Sequence, residues 1–317
     1  MNEQLDHLHT PVLLERCLDL LAPALDGEAV VIDATLGMGG HTLALLQRFP
    51  NARVVGFDRD TQALEIASQR LAPVIDRVSF VHATFDHIDE ALDDLGIDTV
   101  HGALFDLGVS SLQLDRADRG FAYAQDAPLD MRMDQTTGET AADLINGLDE
   151  DELRELFWRY GDEKLAPRYA RAIVKAREAG RIERSAELVD ILQQATPAAL
   201  KNAGHPAKRV FQALRVAVNH ELDVLERALP AALARLAVGG RIVVMSYQSM
   251  EDRFVKRTLQ ALSVSTAPPG LPQELPEHAP QFKLLVRGAE LASEDEALRN
   301  SRAKPVRLRA AERLRAA

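Results

Sequence analysis

Short apolar runs alternate with helical patterns through the first third of the chain. Ala29-Val30-Val31-Ile32 runs into Asp33-Ala34-Thr35-Leu36-Gly37-Met38-Gly39-Gly40-His41-Thr42, with a helical pattern from Leu43 to Arg48 behind it, which predicts strand, tight turn and helix N-terminus. Arg53-Val54-Val55-Gly56-Phe57-Asp58 predicts a second strand before a helix over Gln62–Leu71; Val78–His82 and Val100–Asp106 predict a third and a fourth. Leu13–Leu21 predicts a helix beside the first strand. Between the third and fourth strands, Phe85 stands where an adenine ring would be contacted, or in the core.

From Asp106 to Asp134 neither period holds, although small, acidic, basic and aromatic residues mix there. Such connections are functional or mobile. Thr140 to about Leu200 is helical throughout, a domain inserted before a long helix over Val210–Ala237 and a fifth strand over Gly239–Ser246. Pro268–Pro280 predicts a loop, Phe282–Val286 a last strand, and Glu290–Ala317 a polar, basic tail. The expected division is residues 1–113 and 206–317 for the sheet domain, with 114–205 as loop and helical insert.

The length of 317 residues allows one large domain or two. No apolar run approaches a membrane span, and the N-terminal residues lack a signal-peptide pattern. The single Cys17 has no partner for an internal disulfide or a metal cluster, so a reducing cytoplasm is the expected setting. A net charge of −11 argues against indiscriminate nucleic-acid binding. Basic residues nevertheless gather at Lys164–Arg184 and Arg299–Arg315, as solvated helix faces or as local RNA contacts.

The candidate chemistry sits at the strand ends. Gly37, Gly39 and Gly40 bring backbone close to a ligand, the helix behind them offers unpaired N–H groups, and Asp58 stands roughly 20 residues on, where nucleoside-binding sheets hold a ribose. A glycine turn that binds nothing, and Asp58 as a helix cap, are the bland alternatives. Asp33, Asp58 and Asp106 each end a strand, so an open parallel sheet brings them to one crevice. Thr42 occupies the sixth position of the G-x-G-x-x-G count, where a pyrophosphate binder wants Gly or Ala. A cofactor without phosphates, such as S-adenosylmethionine, suits that departure. A nicotinamide oxidoreductase and a non-catalytic ribosome-binding factor remain open.

Several motifs in order carry a closer likeness: His9–Leu14, Gly37–Thr42, Asp58-Arg59-Asp60, Asp106–Ser111, Arg119-Gly120-Phe121, Pro128–Met133, Tyr160–Glu163, His205-Pro206-Ala207, Arg209–Arg215 and Glu251-Asp252-Arg253. Over almost its whole length the chain resembles the bacterial 16S ribosomal RNA (cytosine-N(4))-methyltransferase family (RsmH, also called MraW). The resemblance implies an α/β fold, a class I S-adenosylmethionine-dependent methyltransferase with a Rossmann-like, mainly parallel sheet and an inserted all-helical domain. It implies methylation of a cytidine in the decoding region of 16S rRNA, within the small ribosomal subunit, with no metal. By matching positions it places Gly39, Gly40, His41, Asp58, Phe85, Asp106 and Gln113 around the cofactor. Asp106 is the candidate catalytic acceptor of an amine proton; Phe121, Tyr123 and Tyr247 are candidates to stack on the target base. The chain departs from the pattern at Ser246-Tyr247-Gln248-Ser249-Met250, where Ser-Phe-His-Ser-Leu is expected, and at Lys208, Ser301 and Pro305. Oligomeric state is left open.

Overall fold

The computed structural model describes residues 11–200, 204–268 and 275–316. His9 and Thr10 of the first motif, and part of the proline-rich loop, lie outside the described residues. The chain forms two compact units, residues 1–108 with 223–317, and residues 109–222.

The first unit is built on a seven-stranded sheet: β1 (Ala29–Asp33), β2 (Ala52–Asp58), β3 (Val78–His82), β4 (Val100–Asp106), β5 (Leu236–Ser246), β6 (Phe282–Leu284) and β7 (Arg307–Arg313), in the order β3-β2-β1-β4-β5-β7-β6. The first five strands pair in parallel; β7 runs antiparallel to both β5 and β6. Strand order reverses between β1 and β4, the switch point where open α/β sheets leave a crevice at the strands' carboxyl ends.

Both faces of the sheet are covered, which explains why its strands read as continuous apolar runs. Ile32, Phe57, Phe105 and Val244 pack on one face with Leu225, Leu229, Val255 and Leu259. Val31, Val54, Leu104 and Val243 pack on the other with Leu18, Leu21, Leu45 and Leu46. The covering helices are α1 (Leu14–Leu21), α2 (Gly40–Arg48), α3 (Thr61–Arg70) and α4 (Ile88–Asp94). Two more, whose ranges are given below, complete the layers.

The helical unit holds α5 (Ser111–Asp115), α6 (Ala141–Gly147), α7 (Glu150–Gly161), α8 (Ala166–Arg177), α9 (Ser185–Ala195) and α10 (Ala207–Val218). Each of α6 and α7 opens on a capping box, Thr140 with Asp143 and Asp149 with Glu152, which satisfies two orphan N–H groups reciprocally. The helical unit extends past the expected boundary at residue 205, because Val210, Phe211 and Leu214 of α10 join Phe157, Tyr169 and Leu188 in its core. The long helix expected over Val210–Ala237 is two helices. His220, at φ 50°, ends α10, and α11 (Glu221–Arg235) begins beyond it; α12 (Ser249–Leu262) and α13 (Glu294–Arg299) complete the set.

The aperiodic stretch is a packed segment rather than an open loop. Phe121, Leu129, Met131 and Met133 are buried, and the buried Arg119 guanidinium donates to the carbonyls of Arg132 and Met133 at 3.1 and 2.7 Å. Asn219 accepts from Met133 N–H and donates to Met131 O, both at 2.8 Å. Its order comes from buried polar bonds, which carry no periodicity.

The expected basic tail is also corrected. Arg307–Arg313 is a strand inside the sheet, with Leu308, Ala310 and Ala311 buried. Its arginines are spent locally: Arg309 pairs with Asp252 at 2.7 Å, and Arg313 Nη1 donates to the carbonyls of Leu233, Ala234 and Leu236 at 3.2, 2.7 and 2.7 Å. The first two carbonyls belong to the C-terminal end of α11, where a helix leaves acceptors unsatisfied, and the third opens β5. Replacing Arg313 with Ala should lower the unfolding free energy by about 3 kcal/mol in urea melts, the scale for stranding buried carbonyls bonded to a cation; a loss under about 0.5 kcal/mol would contradict that role.

Candidate functional site

The site is built from the turn after β1 upward. Asp33 ends β1 and is buried, where Oδ2 accepts from the Thr42 hydroxyl at 2.6 Å and Oδ1 from Thr35 N–H at 3.3 Å. The sixth position of the glycine pattern thus holds a hydroxyl because the strand-end carboxylate needs a donor there. Burial pushes the Asp33 carboxyl above its ordinary value, against the Thr42 bond and His41, which favour the charged form. Asp33 therefore serves the turn itself.

The glycines divide by role. A Cβ on Gly40 would come within 2.7 Å of Pro11 Cγ, and one on Gly39, at φ 75°, within 3.0 Å of Leu71 Cδ1. The room they save is filled by this chain's own packing, while the backbone they shape opens α2. Gly37, at φ 52°, has open space where a side chain would be, with only Thr35 O at 3.9 Å.

Asp58 ends β2 half-buried and uses each carboxylate oxygen once: Oδ2 accepts from Gly37 N–H and Oδ1 from Asp60 N–H, both at 2.8 Å. Helix capping falls to Asp60, which accepts from Gln62 N–H at 3.1 Å, so the two readings of these aspartates separate onto two residues. An ionised carboxylate has about four acceptor positions, which leaves Asp58 capacity for donor hydroxyls. Burial pushes its carboxyl up to about 6, partly opposed by those two N–H bonds.

Asp106 ends β4 across the switch point. Its N–H donates to the Thr35 hydroxyl at 2.7 Å, and its Oδ1 accepts from the Tyr247 hydroxyl at 2.6 Å. Oδ2 faces His41 Nδ1 at 4.0 Å, with the carboxylate about 22% exposed. His41 Nε2 lies 3.1 Å from Val12 O; a carbonyl only accepts, so Nε2 carries the proton. Burial raises the Asp106 carboxyl, while His41 and the Tyr247 bond favour its ionised form.

The remaining expected residues fall in several places. Phe85 opens a short 3-10 turn and stands edge-on to Phe105, 5.6 Å between ring centres. Next to it Asp86 accepts from the Thr84 hydroxyl and pairs with Arg227 at 2.6 Å. Gln113 lies in the helical unit, where its Oε1 accepts from Ser110 N–H at 3.0 Å and Gln113 N–H donates to Ser110 Oγ at 3.3 Å. Of the aromatic candidates, Phe121 is core, and Tyr123 stacks on His205 at 4.5 Å. Tyr247 is hydrogen-bonded to Asp106. Gln248, where the pattern expects His, caps α12: Glu251 accepts the N–H groups of Tyr247 and Gln248, each at 3.0 Å.

Sequence reasoning did not assign Thr35 or the Tyr247 hydroxyl to this cluster. Register is the signal that reaches Tyr247, because Asp106 pairs with Met245 in the sheet and the segment after β5 therefore leaves at the same edge.

A carboxylate with spare acceptor capacity ends the second strand, an open glycine follows the first, and a carboxylate held from one side ends the fourth. The strand order with its antiparallel seventh strand is the Rossmann-like sheet of a class I S-adenosylmethionine-dependent methyltransferase, and S-adenosylmethionine is the cofactor. The chain belongs to the MraW methylase family, which it matches over residues 6–314. It is 67% identical over 312 residues to the ribosomal RNA small subunit methyltransferase H of Clavibacter michiganensis subsp. michiganensis, covering 98% of each chain. The protein of that name from Leifsonia xyli subsp. xyli is 64% identical over 310 residues, with 98% of this chain and 95% of the relative covered. In Streptomyces avermitilis it is 56% identical over 309 residues, 97% of each. Membership makes the chain a methyltransferase and sets the nicotinamide and non-catalytic readings aside. Among the described residues, no helix is long and apolar enough to cross a membrane.

With Asp58 titrating near 6, cofactor affinity measured by calorimetry should be flat above neutrality and weaken as pH falls through that value, by about tenfold at one unit below it, because the protonated carboxyl loses acceptor capacity. A constant affinity between pH 5 and 7.5 would contradict an ionised Asp58 as ribose ligand.

Proposed function

We propose that this methyltransferase modifies the exocyclic N4 amine of a cytidine in the decoding region of 16S ribosomal RNA, with the small ribosomal subunit as the natural setting. The naming of its relatives as ribosomal RNA small subunit methyltransferases supports the RNA class. The observation that carries the chemistry is Asp106, a strand-end carboxylate with one oxygen tied to Tyr247 and the other left toward His41.

The cofactor would be held by the backbone of Gly39, Gly40 and His41, by Asp58 at the ribose and by Phe85 beside the adenine, with a hold on the amino-acid end as the alternative to the acceptor role for Asp106. When bound, S-adenosylmethionine supplies a methyl group already activated by its sulfonium. A cytosine amine is a weak nucleophile because its lone pair is delocalised into the ring. The protein's contribution is then alignment, together with an acceptor for the amine proton as that lone pair localises. Asp106 Oδ2 is the acceptor.

The base must leave its stack to react. Within the helical unit, Trp158 is 68% exposed and lines a cleft of about 820 Å³ whose walls carry Arg154, Lys164 and Arg209 beside Glu155, Asp162 and Glu163. The exposed indole face suits stacking on an unpaired base. Several basic residues expected to grip RNA are already engaged within the unit: Arg177 donates to the carbonyls of Ile145 and Leu148, Arg181 pairs with Asp143, and Arg184 with Asp126.

Asp106→Asn should lower single-turnover methyl transfer to small-subunit RNA by at least about a hundredfold at saturating cofactor, the usual contribution of a positioned base; unchanged turnover would end the acceptor role. Trp158→Ala should weaken RNA binding by about tenfold, one stacked base, leaving calorimetric cofactor affinity unaltered. Unchanged RNA binding would remove the cleft from the substrate path.

A further inference from the structure

The departure at Tyr247 puts a phenol where the family pattern has only a ring, and the structure gives that phenol a partner. We propose that Tyr247 is a positioning residue for Asp106: its hydroxyl occupies Oδ1, fixes the carboxylate's rotation and leaves Oδ2 as the oxygen available for chemistry. The inference rests on Asp106 acting as proposed above, but its geometry stands independently.

Three features support it. The bond is short, 2.6 Å from hydroxyl to Oδ1, as a neutral donor to an ionised acceptor gives. The phenol is a committed donor, since burial and the adjacent Asp106 charge both push its ionisation far above the ordinary tyrosine range. The tyrosine is also anchored from behind: its N–H donates to Glu251 Oε2 at 3.0 Å, and Leu107 N–H donates to Met245 O at 3.0 Å. The backbones on either side of the phenol–carboxylate bond are therefore tied before any ligand arrives. On Asp106 itself, the N–H bond to Thr35 fixes the main chain but no carboxylate oxygen.

The charged and titratable groups around Asp106 set what the hydroxyl must do. His41 reaches it from α2 and favours its charge; Asp33, at the end of β1, disfavours it. Cys17 of α1 is a neutral thiol, its ionisation pushed well up by burial, and Glu251 of α12 lies behind Tyr247. A partly buried carboxylate beside a buried one is held ionised by the donors it can recruit. Tyr247 is the hydroxyl that donates directly to this one. Losing it should let the Asp106 carboxyl rise and turn.

The test is Tyr247→Phe, which keeps the ring and removes the donor. In the full-length protein, the Asp106 carboxyl carbon is followed by NMR against pH, with the signal assigned by its disappearance in Asp106→Asn. The expected result is a midpoint about one pH unit higher in the Phe variant. The acid limb of the methyl-transfer rate should rise by the same amount, with a lower plateau kcat and the KM for RNA unchanged. A purely structural ring moves neither the carboxyl midpoint nor the acid limb, and coincident titrations in the two proteins would overturn the proposal. If Asp106→Asn turns over normally while the carboxyl midpoint still shifts in Tyr247→Phe, the acceptor reading falls and the phenol's hold on Asp106 stands.

Discussion

The parallel pairing of β1 with both β2 and β4 is the constraint on which the rest depends. Its hydrogen bonds set Ala29 against Ala52 and Val31 against Gly102, and that register brings three strands to their ends at one edge. Main-chain bonds then carry the alignment past the last paired residues: Ala34 N–H to Leu104 O, and Leu36 N–H to Phe57 O, each at 2.9 Å. A slip of one residue would turn every side chain to the other face. It would send the carboxylates of Asp58 and Asp106 into the apolar layers that now hold Phe57 and Phe105.

The edge so formed carries three carboxylates under three different obligations. Asp33 is consumed by its own turn through Thr42 and Thr35. Asp58 is partly consumed by Gly37 and Asp60, and Asp106 is held from one side by Tyr247. Burial disfavours charge on all three, so each is kept competent by its neighbours' donors. The graded supply of those donors leaves Asp33 saturated by its own turn and Asp58 and Asp106 with acceptor capacity on the same edge.

Much of this was legible in the sequence where a physical signal is local. The parallel strands announce themselves as apolar runs ending in Asp, and the glycine turn follows directly from Gly37, Gly39 and Gly40. What escaped was set by long-range polar bonds. Arg307–Arg313 reads as a basic tail because charge dominates its composition, yet Leu308, Ala310 and Ala311 bury it between two strands. The segment containing Arg119 and Met131 reads only as a functional or mobile connection, because bonds from Arg119 and Asn219 to its carbonyls leave no period. The bond from the Tyr247 hydroxyl to Asp106 was not legible, because the sequence gives a side chain's chemistry but not its partner. Gly40 read as ligand clearance, whereas Pro11 fills its space.

We propose that the glycine turn and the ends of β2 and β4 receive one adenosyl ligand together. Hydrogen exchange of the full chain, with and without saturating S-adenosylmethionine, separates joint from partial engagement of the three segments. Amides of Leu36–Thr42, Phe57–Asp60 and Asp106–Gly108 should gain protection together at one ligand concentration. Binding that leaves these three segments exchanging as in the free protein, or protects only one of them, would contradict it.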